Sequence, residues 1–241
     1  MIELKSLSCG YFSDVILQNI NIKIDEHLSI LGANGSGKST LAKAICNLID
    51  FSGEVSIESK NIKELSFLEM AKGISYIPAK LEIYDSFITL EEFVLLGRFA
   101  HKKSFFEYSH EDKKIAKQKI KLLGLEHLKA HTLLSLSSGE QQLALIAAAL
   151  AQESKIIIFD EPTANLDPHN SKIIASYIKK LKVTHQVILI THDLHLACYV
   201  ENPILFIKDK NAHLYGKDFF DDEVLKELYG VGFCSLAVKY E

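Results

Sequence analysis

The chain has 241 residues, a length typical of one domain or of one domain that carries an inserted lobe. Hydrophobic residues make up 48% and charged residues 24%, which excludes a chain that is disordered along most of its length. The net charge of −4 excludes a broadly basic protein, so we expect no nucleic-acid partner.

The first predicted elements are two strands. Ile20, Ile22 and Ile24 alternate with polar residues, a pattern typical of a half-buried strand. Residues 27–31 predict a second, short strand, and a glycine-rich turn follows it at once.

This turn, GANGSGKST, matches the motif G-x-x-x-x-G-K-[ST] between a predicted strand and a predicted helix. Its glycines let backbone N–H groups point at β- and γ-phosphates, and the positive end of the helix favours the same charge. We expect Lys38 to neutralise these phosphates and Ser39 to offer its hydroxyl to Mg²⁺. The predicted ATP-binding residues of the turn are Gly32, Ala33, Asn34, Gly35, Ser36, Gly37, Lys38, Ser39 and Thr40.

The helix after this turn is predicted from Leu41, Ala44, Ile45 and Leu48, which recur at helical spacing. We expect Gly53 to end this segment, because glycine commonly follows the last turn of a helix.

The next predicted strand is the apolar run Ile74–Ile77, as in a strand buried on both faces of a parallel sheet. Beyond it, the sequence has helical patterns at residues 90–96, 111–123 and 139–151 and no strand pattern. We interpret this region as an inserted helical lobe. The single domain, 1–241, would then divide into a core lobe of about 1–84 and 152–241 and a helical lobe of about 85–151.

The last of these helices begins with the sequence LSSGE. Serine, glycine and free N–H groups at a helix N-terminus form an end that binds anions. The same residues, Ser137, Ser138, Gly139 and Glu140, are also a plain helix cap. On its own, this segment leaves both interpretations open.

The apolar run 156–159 predicts a further buried strand, and two carboxylates follow it. Ligands of open α/β sheets bind at this end of the strands, so we expect Asp160 to hold Mg²⁺ through its water shell. Glu161 is the candidate general base that polarises an attacking water. The alternative is an ordinary strand end followed by a Glu-Pro turn.

The remaining predicted elements are a helix at 170–181, which Asp167 and Pro168 begin, and a strand at 187–190. Strands that alternate with helices predict an α/β fold of the P-loop type. His192 follows the last strand, where an imidazole would bond the γ-phosphate and sense its loss. A lone histidine at a strand end is more often structural or exposed.

Compartment and redox state are predicted from the cysteines and the N-terminal segment. Cys9, Cys46, Cys198 and Cys234 lack the CxxC spacing of a zinc or redox site, so we expect reduced thiols in a cytosolic protein. The N-terminal residues lack the layout of a signal peptide, and the longest apolar stretches are shorter than the roughly 20 residues that span a bilayer.

In order and spacing, these motifs resemble the ABC ATPase family over essentially the whole chain. GANGSGKST resembles the Walker A motif, LSSGE the family signature, IIIFDEP the Walker B motif and the segment THD the switch histidine. The segment ANLD, with Asn165 and Asp167, resembles the D-loop, and Tyr11 matches the aromatic residue on which adenine stacks. The signature separates this family from P-loop kinases and GTPases.

The resemblance implies a fold and a mechanism. The fold has a RecA-like parallel-sheet core, an N-terminal antiparallel β part and an inserted helical subdomain. Such proteins bind ATP and Mg²⁺ between two copies, and here Ser137 and Gly139 of the opposite copy would complete the γ-phosphate site. They work at the cytoplasmic face of the membrane, on permease subunits that would dock between Ala79 and His101, and a substrate-binding protein takes part indirectly.

One position departs from the family pattern. The family usually has glutamine in the segment Y-x-P-Q, whereas this chain has Ala79 there. Alanine has no side-chain oxygen to reach Mg²⁺ or water. We therefore expect hydrolysis to persist through Glu161 and coupling to the permease to depend on backbone or on neighbours such as Lys80 and Glu82.

The segment from Gly97 to His101, GRFAH, resembles one in ATPases that serve importers of ferric siderophores, haem and cobalamin. A plain helix C-terminus, with Arg98 and His101 near its negative end, also explains it. Zinc, manganese and molybdate importers and exporters are alternatives. A soluble ABC ATPase that acts on nucleic acid is a remoter one, because the chain has no long coiled coil and is acidic.

Overall fold

The chain forms two β-sheets with helices packed around them, in a computed structural model that describes residues 1–12, 14–102 and 107–230. Among the cysteines, Cys9, Cys46 and Cys198 are free thiols, and Cys234 lies outside the described residues.

The first sheet is antiparallel and has the strand order β2-β1-β4-β5. The predicted strand around Ile22 is the second half of β2, and it turns Ile20 and Ile24 into the core while polar neighbours face solvent. The strands are β1 (Ile2–Tyr11), β2 (Asp14–Ile24), β4 (Phe51–Ile57) and β5 (Lys60–Asn61).

The second sheet has the strand order β10-β9-β3-β8-β7-β6. Its strands from β9 to β6 are parallel, and β10 pairs with β9 in the antiparallel sense. The predicted α/β fold, with a parallel core sheet and an N-terminal antiparallel sheet, is confirmed. The strands are β3 (Leu28–Gly32), β6 (Ile74–Ile77), β7 (Ile156–Asp160), β8 (Gln186–Ile190), β9 (Ile204–Lys208) and β10 (Asn211–Tyr215).

The parallel strands are buried on both faces, which explains their continuous apolar runs. Along β7, Ile156 and Ile158 face a core shared with the first sheet and the helix after the glycine-rich turn. Ile157 and Phe159 face a second core shared with the helices of the inserted region. The sheet therefore fixes the ends of its strands between two packed layers.

Most helices begin at a side-chain cap. Capping boxes at Ser66, Thr89, Ser109 and Ser137 begin α2, α3, α4 and α5, and Asp167 caps α6 with proline in its first turn. The helices are α1 (Lys38–Ile45), α2 (Phe67–Gly73), α3 (Leu90–Leu96), α4 (His110–Leu122), α5 (Ser138–Ala151), α6 (Pro168–Leu181), α7 (Leu194–Val200) and α8 (Asp222–Tyr229).

The prediction that Gly53 ends the first helix was wrong. Helix α1 ends at Ile45, Leu48 is exposed, and Gly53 lies within β4. Gly53 has φ +84°, and a Cβ there would lie 2.4 Å from the carbonyl oxygen of Ser6. Glycine at this position serves close strand packing at an irregularity of the β1–β4 ladder.

Arg98 joins α4 to the C-terminal end of α5 and to the segment after it. Its Nε donates to Asp112 Oδ1 at 3.0 Å, and its Nη1 donates to the carbonyl of Ala151 at 2.7 Å and to Glu153 Oε2 at 2.6 Å. His101 bonds the next carbonyl, that of Gln152, at 2.8 Å. Helix α3 ends with Gly97 as its C-cap, as the helix-end interpretation predicted, and the side chains of Arg98 and His101 bond carbonyls at the C-terminal end of α5.

Candidate active site

The predicted catalytic segments meet at one edge of the parallel sheet. The glycine-rich loop follows β3, Asp160 ends β7 and Glu161 comes directly after it, and His192 follows β8. Because β3, β8 and β7 are adjacent and parallel, their carboxyl ends bring these segments together.

Two glycines of the loop are required by the backbone. Gly37 caps α1 in the left-handed region, with φ 104°, and a Cβ there would lie 2.7 Å from Ile16. A Cβ on Gly32 would lie 2.5 Å from the carbonyl oxygen of Ile207. The loop can therefore pass close to its neighbours and leave its N–H groups open to an anion.

Lys38 lies in the cradle that this loop forms. Its side chain is 6% exposed, and its Nζ donates to the carbonyls of Gly32 at 2.9 Å and Ala33 at 3.1 Å. Burial lowers the pKa of Lys38, and the Glu161 and Asp160 carboxylates oppose this shift. The buried Ser36 Oγ has no hydrogen-bond partner among the described residues, so the loop suits a ligand that brings acceptor oxygens, such as a triphosphate.

Asp160 is held through both of its carboxylate oxygens. Ser39 Oγ donates to Oδ1 at 2.9 Å, and the Tyr76 hydroxyl donates to Oδ2 at 2.6 Å. Burial and, next, the bond to Asp160 raise the pKa of Tyr76 above its usual range. A hydroxyl and a carboxylate at this distance form a donor set that fits Mg²⁺.

Glu161 connects the lysine and the histidine. Its Oε2 lies 2.8 Å from His192 Nδ1, and its Oε1 lies 3.9 Å from Lys38 Nζ. The backbone of Glu161 is left-handed, with φ +48°, and its N–H donates to the carbonyl of Ile190 at 2.8 Å. Strain of this kind is common where a backbone aims a functional side chain.

The LSSGE segment begins α5 with a capping box, as its cap interpretation predicted. Ser137 Oγ and the Ser137 N–H both donate to Glu140 Oε2 at 2.7 Å, and Ser138 is the first residue of the helix. These two bonds lower the pKa of Glu140. Within the described part of the chain, no hydrogen bond or ion pair joins Ser137, Ser138, Gly139 or Glu140 to the residues around Lys38.

The D-loop segment lies beside this helix. Asn165 is left-handed, with φ 64°, and Asp167 caps α6 by accepting from the N–H groups of His169 and Asn170. Asn170 Nδ2 also donates to Asp167 Oδ2 at 2.5 Å. The Asn170 side chain packs on Gly139, where a Cβ would lie 2.6 Å from Asn170 Cγ.

Tyr11 ends β1 at the hairpin that pairs it with Asp14, and it is 39% exposed. Its contact with adenine stays a prediction.

The sequence patterns did not reveal Tyr76 or Asn170 as parts of the site. Tyr76 lies within an apolar strand pattern that does not mark it as a site residue. It pairs with Ile158 of β7, and Ile158 and Asp160 lie on one face of that strand because they are two residues apart. Knowledge of this register would have placed Tyr76 beside Asp160. No sequence signal marks Asn170, because its contact with Gly139 joins two helices.

Among the described helices, the longest have 14 residues, and none combines the length and hydropathy of a segment that spans a bilayer.

Known proteins share both the sequence and the fold. The family model described as ABC transporter matches residues 17–164. An uncharacterized ABC transporter ATP-binding protein of Methanocaldococcus jannaschii, MJ0089, is 36% identical, with 96% of this chain and 92% of that protein covered. The manganese transport system ATP-binding protein MntB of Halalkalibacterium halodurans is 30% identical over 100% of this chain and 96% of its own length. The "Probable siderophore transport system ATP-binding protein YusV" of Bacillus subtilis is 33% identical over 90% and 80%.

Two solved structures are similar over most of the chain. One, an inward-facing transporter assigned to the metal-chelate type of ABC transporter, has a TM-score of 0.83 at 26% identity and covers 96% of this chain and 89% of its own. The other is a dimer of the cassette MJ0796 in a post-hydrolysis state with ADP and phosphate, with a TM-score of 0.73 at 29% identity and coverage of 90% and 98%. The chain therefore belongs to the ABC transporter family, as one of its ATP-binding and ATP-hydrolysing cassettes.

Proposed function

We propose that this chain energises an importer by closing as a pair of copies on two ATP molecules and opening after hydrolysis. The observation that carries the proposal is the cluster of Lys38, the Ser39–Asp160 pair and the Glu161–His192 pair at one sheet edge. These groups supply a cation, a metal-binding donor set and a base beside a loop that suits a triphosphate.

Each residue of this cluster has a distinct role. Lys38 exchanges the carbonyls of Gly32 and Ala33 for phosphate oxygens. Ser39 and Asp160 would hold Mg²⁺, which when bound neutralises charge on the phosphates. Glu161 takes a proton from the attacking water, and His192 holds the Glu161 carboxylate in place.

The second copy completes the site. We assign Ser137 and Gly139 of that copy to the γ-phosphate and place the D-loop residues Asn165 and Asp167 at the same interface. The dimeric structure of the cassette MJ0796, with ADP and phosphate, supports this arrangement. Hydrolysis divides the charge that both copies bind, so the pair separates.

The region between Ala79 and His101 is the proposed contact with permease subunits at the cytoplasmic face of the membrane. Tyr84 is 90% exposed and Phe87 85%, and large apolar side chains exposed within one short segment support a protein contact there. Ala79 is exposed and has no side-chain oxygen, so we assign coupling to backbone groups or to its neighbours. A substrate-binding protein would act on the permease and not on this chain.

The proposed cargo is a metal chelate of the ferric-siderophore, haem or cobalamin kind. The siderophore relative and the structure of the metal-chelate type support it. The contacts of Arg98 and His101 are internal, so the GRFAH segment gives little support of its own. The manganese relative, which aligns with the whole chain, favours manganese import as the second candidate.

Replacement of the proposed base tests the catalytic part. We expect Glu161→Gln to lower ATP hydrolysis by at least about 100-fold and to leave nucleotide binding intact, since the carboxamide cannot take a proton. With ATP and Mg²⁺, the variant should accumulate as a dimer in sedimentation experiments, alone or with its permease. Monomers that retain no nucleotide under both conditions would refute the proposal.

Uptake measurements test the cargo. In cells that lack this chain, transport of ferric siderophore, haem, cobalamin, molybdate and manganese should be compared before and after its return. Loss and recovery of chelate uptake support the first candidate, and the same result for manganese supports the second. Normal uptake of all five would exclude both.

A further inference from the structure

Tyr76 is the tyrosine of the segment that resembles Y-x-P-Q, and it contacts the site although the sequence patterns gave it no role there. Its hydroxyl donates to Asp160 Oδ2 at 2.6 Å, while Ser39 Oγ donates to Oδ1 at 2.9 Å. Two donors on opposite oxygens fix the rotation of a carboxylate, whereas one donor leaves it free to turn. Without the tyrosine, Asp160 would be oriented by Ser39 alone among these contacts.

The ring of Tyr76 cannot easily turn away from this position. It is partly buried, and it packs against the core on one side and lines an apolar groove on the other. Met70 of α2, Cys46 after α1 and Phe99 line the same groove. In register, Tyr76 pairs with Ile158, so its strand directs it to the face on which Asp160 lies.

We infer that Tyr76 is a positioning residue, whose hydroxyl holds Asp160 so that its Oδ1 stays beside Ser39 Oγ and ready for a divalent cation. Tyr76 touches neither the nucleotide nor the reacting water in this scheme. The inference deepens the proposed function, because it concerns the carboxylate that we assign to Mg²⁺. The ring of Tyr76 therefore lines the apolar groove while its hydroxyl bonds a residue of the proposed catalytic site.

The test removes one oxygen atom. Tyr76→Phe keeps the ring in the groove and deletes the donor to Asp160. We expect ATP binding in EDTA to be unchanged, and the gain in affinity on adding Mg²⁺ to fall about tenfold, as for one hydrogen bond to a charged group. Binding of a fluorescent ATP analogue, with Mg²⁺ as the titrant, measures both. An unchanged response to Mg²⁺ would overturn the inference.

The matched control is Tyr177→Phe, which deletes the hydroxyl of a partly buried tyrosine on α6 and should leave the response to Mg²⁺ as in the unmodified chain. A double-mutant cycle adds specificity. In an Asp160→Asn background, Tyr76→Phe should have no further effect on the response. If the double variant loses as much of the response to Mg²⁺ as the two single variants together, the inference is overturned.

Thermal unfolding without nucleotide separates positioning from folding. A lowered midpoint with a normal response to Mg²⁺ would make Tyr76 structural and overturn the inference. If Tyr76→Phe does not fold, Tyr76→Met fills the same space without a hydroxyl and carries the same expectation. If the unmodified chain itself does not bind ATP, the proposed function fails, which is a different result.

Discussion

Gly139 lacks a side chain at a position where another part of the same chain fills the space. The Asn170 side chain occupies the space where a Cβ would lie, at 2.6 Å from Cγ and 2.7 Å from Oδ1. Asn170 is held there by its bond to Asp167 Oδ2. The signature glycine therefore links α5 to the D-loop, in addition to its proposed place at the γ-phosphate.

We expect Gly139→Ala to destabilise the chain by roughly 1–2 kcal/mol, because the methyl group displaces Asn170 from Asp167. Denaturant unfolding measures the loss. The double variant Gly139→Ala with Asn170→Ala should recover most of it. Gly73→Ala is the control, since a Cβ on Gly73 meets no atom within 4 Å. Equal losses in the single and double variants would contradict this account.

Among the elements, α5 carries an acidic capping box at the N-terminus that we assign to the ATP of a second copy. The Glu140 carboxylate accepts from the N–H and the Oγ of Ser137, and these bonds lower the pKa of Glu140, so it is ionised at neutral pH. The helix end that we assign to the phosphate of a second copy thus already carries a negative charge.

We expect Glu140→Gln to strengthen ATP-dependent pairing. The amide oxygen still caps Ser137, but the charge that opposes a phosphate is gone. Removal of one Glu140 charge should stabilise the dimer by roughly 0.3–1 kcal/mol, and a dimer has two such sites. The dissociation constant of the dimer should therefore fall on the order of tenfold at low salt. Sedimentation in a Glu161→Gln background measures it.

The control for this change is Glu69→Gln in the capping box of α2, where Ser66 donates to Glu69 in the same way. That variant should pair like its Glu161→Gln parent. Weaker pairing of Glu140→Gln would show that the carboxylate makes a favourable contact across the interface.

The sequence predicted well those elements whose pattern is local. The apolar runs 156–159 and 187–190 predicted β7 and β8 because both faces of these strands are buried, and Asp167 with Pro168 predicted the beginning of α6. The prediction that Gly53 ends a helix failed because glycine is required there by a left-handed backbone and by close contact with β1, which lies far away in sequence.

In the site, the loop, Asp160, Glu161 and His192 were predicted to meet, since each follows a strand of a parallel sheet, and the structure brings them together. Tyr76 and Asn170 were not predicted. Their partners are set by strand register and by helix packing, and neither property can be read from spacing along one chain.

At the scale of the whole molecule, Arg98 joins helices α4 and α5 to the segment that leads into β7. It is the only arginine of the sequence and is 5% exposed. Burial raises the pKa of its partner Asp112, but the hydrogen bonds from Ser109 and Arg98 outweigh this effect, so the pKa of Asp112 is lowered overall. A planar guanidinium donates in several directions at once, which a lysine ammonium on its flexible stem does less well.

We expect Arg98→Lys to destabilise the chain by roughly 2–4 kcal/mol, because at least one of its acceptors near α4, α5 and β7 is left buried without a donor. Equilibrium unfolding measures it, and Lys114→Ala, which removes an exposed ion pair with Glu111, should change stability by less than about 1 kcal/mol. Similar effects of the two changes would contradict the buried role of Arg98.

Strand β6, which carries Tyr76, lies at the edge of its sheet, and within the described residues β7 is its one ladder neighbour. Gln152 and Ser154 tether its beginning, at Ile74 and Ser75, whereas Tyr76 and Ile77 follow beyond these tethers. Backbone amides near this end should therefore exchange with deuterium sooner than those of β7. Local opening of β6 would break the bond from Tyr76 to Asp160 while the rest of the sheet stays folded. The affinity for the proposed Mg²⁺ would then depend on how often this edge strand opens.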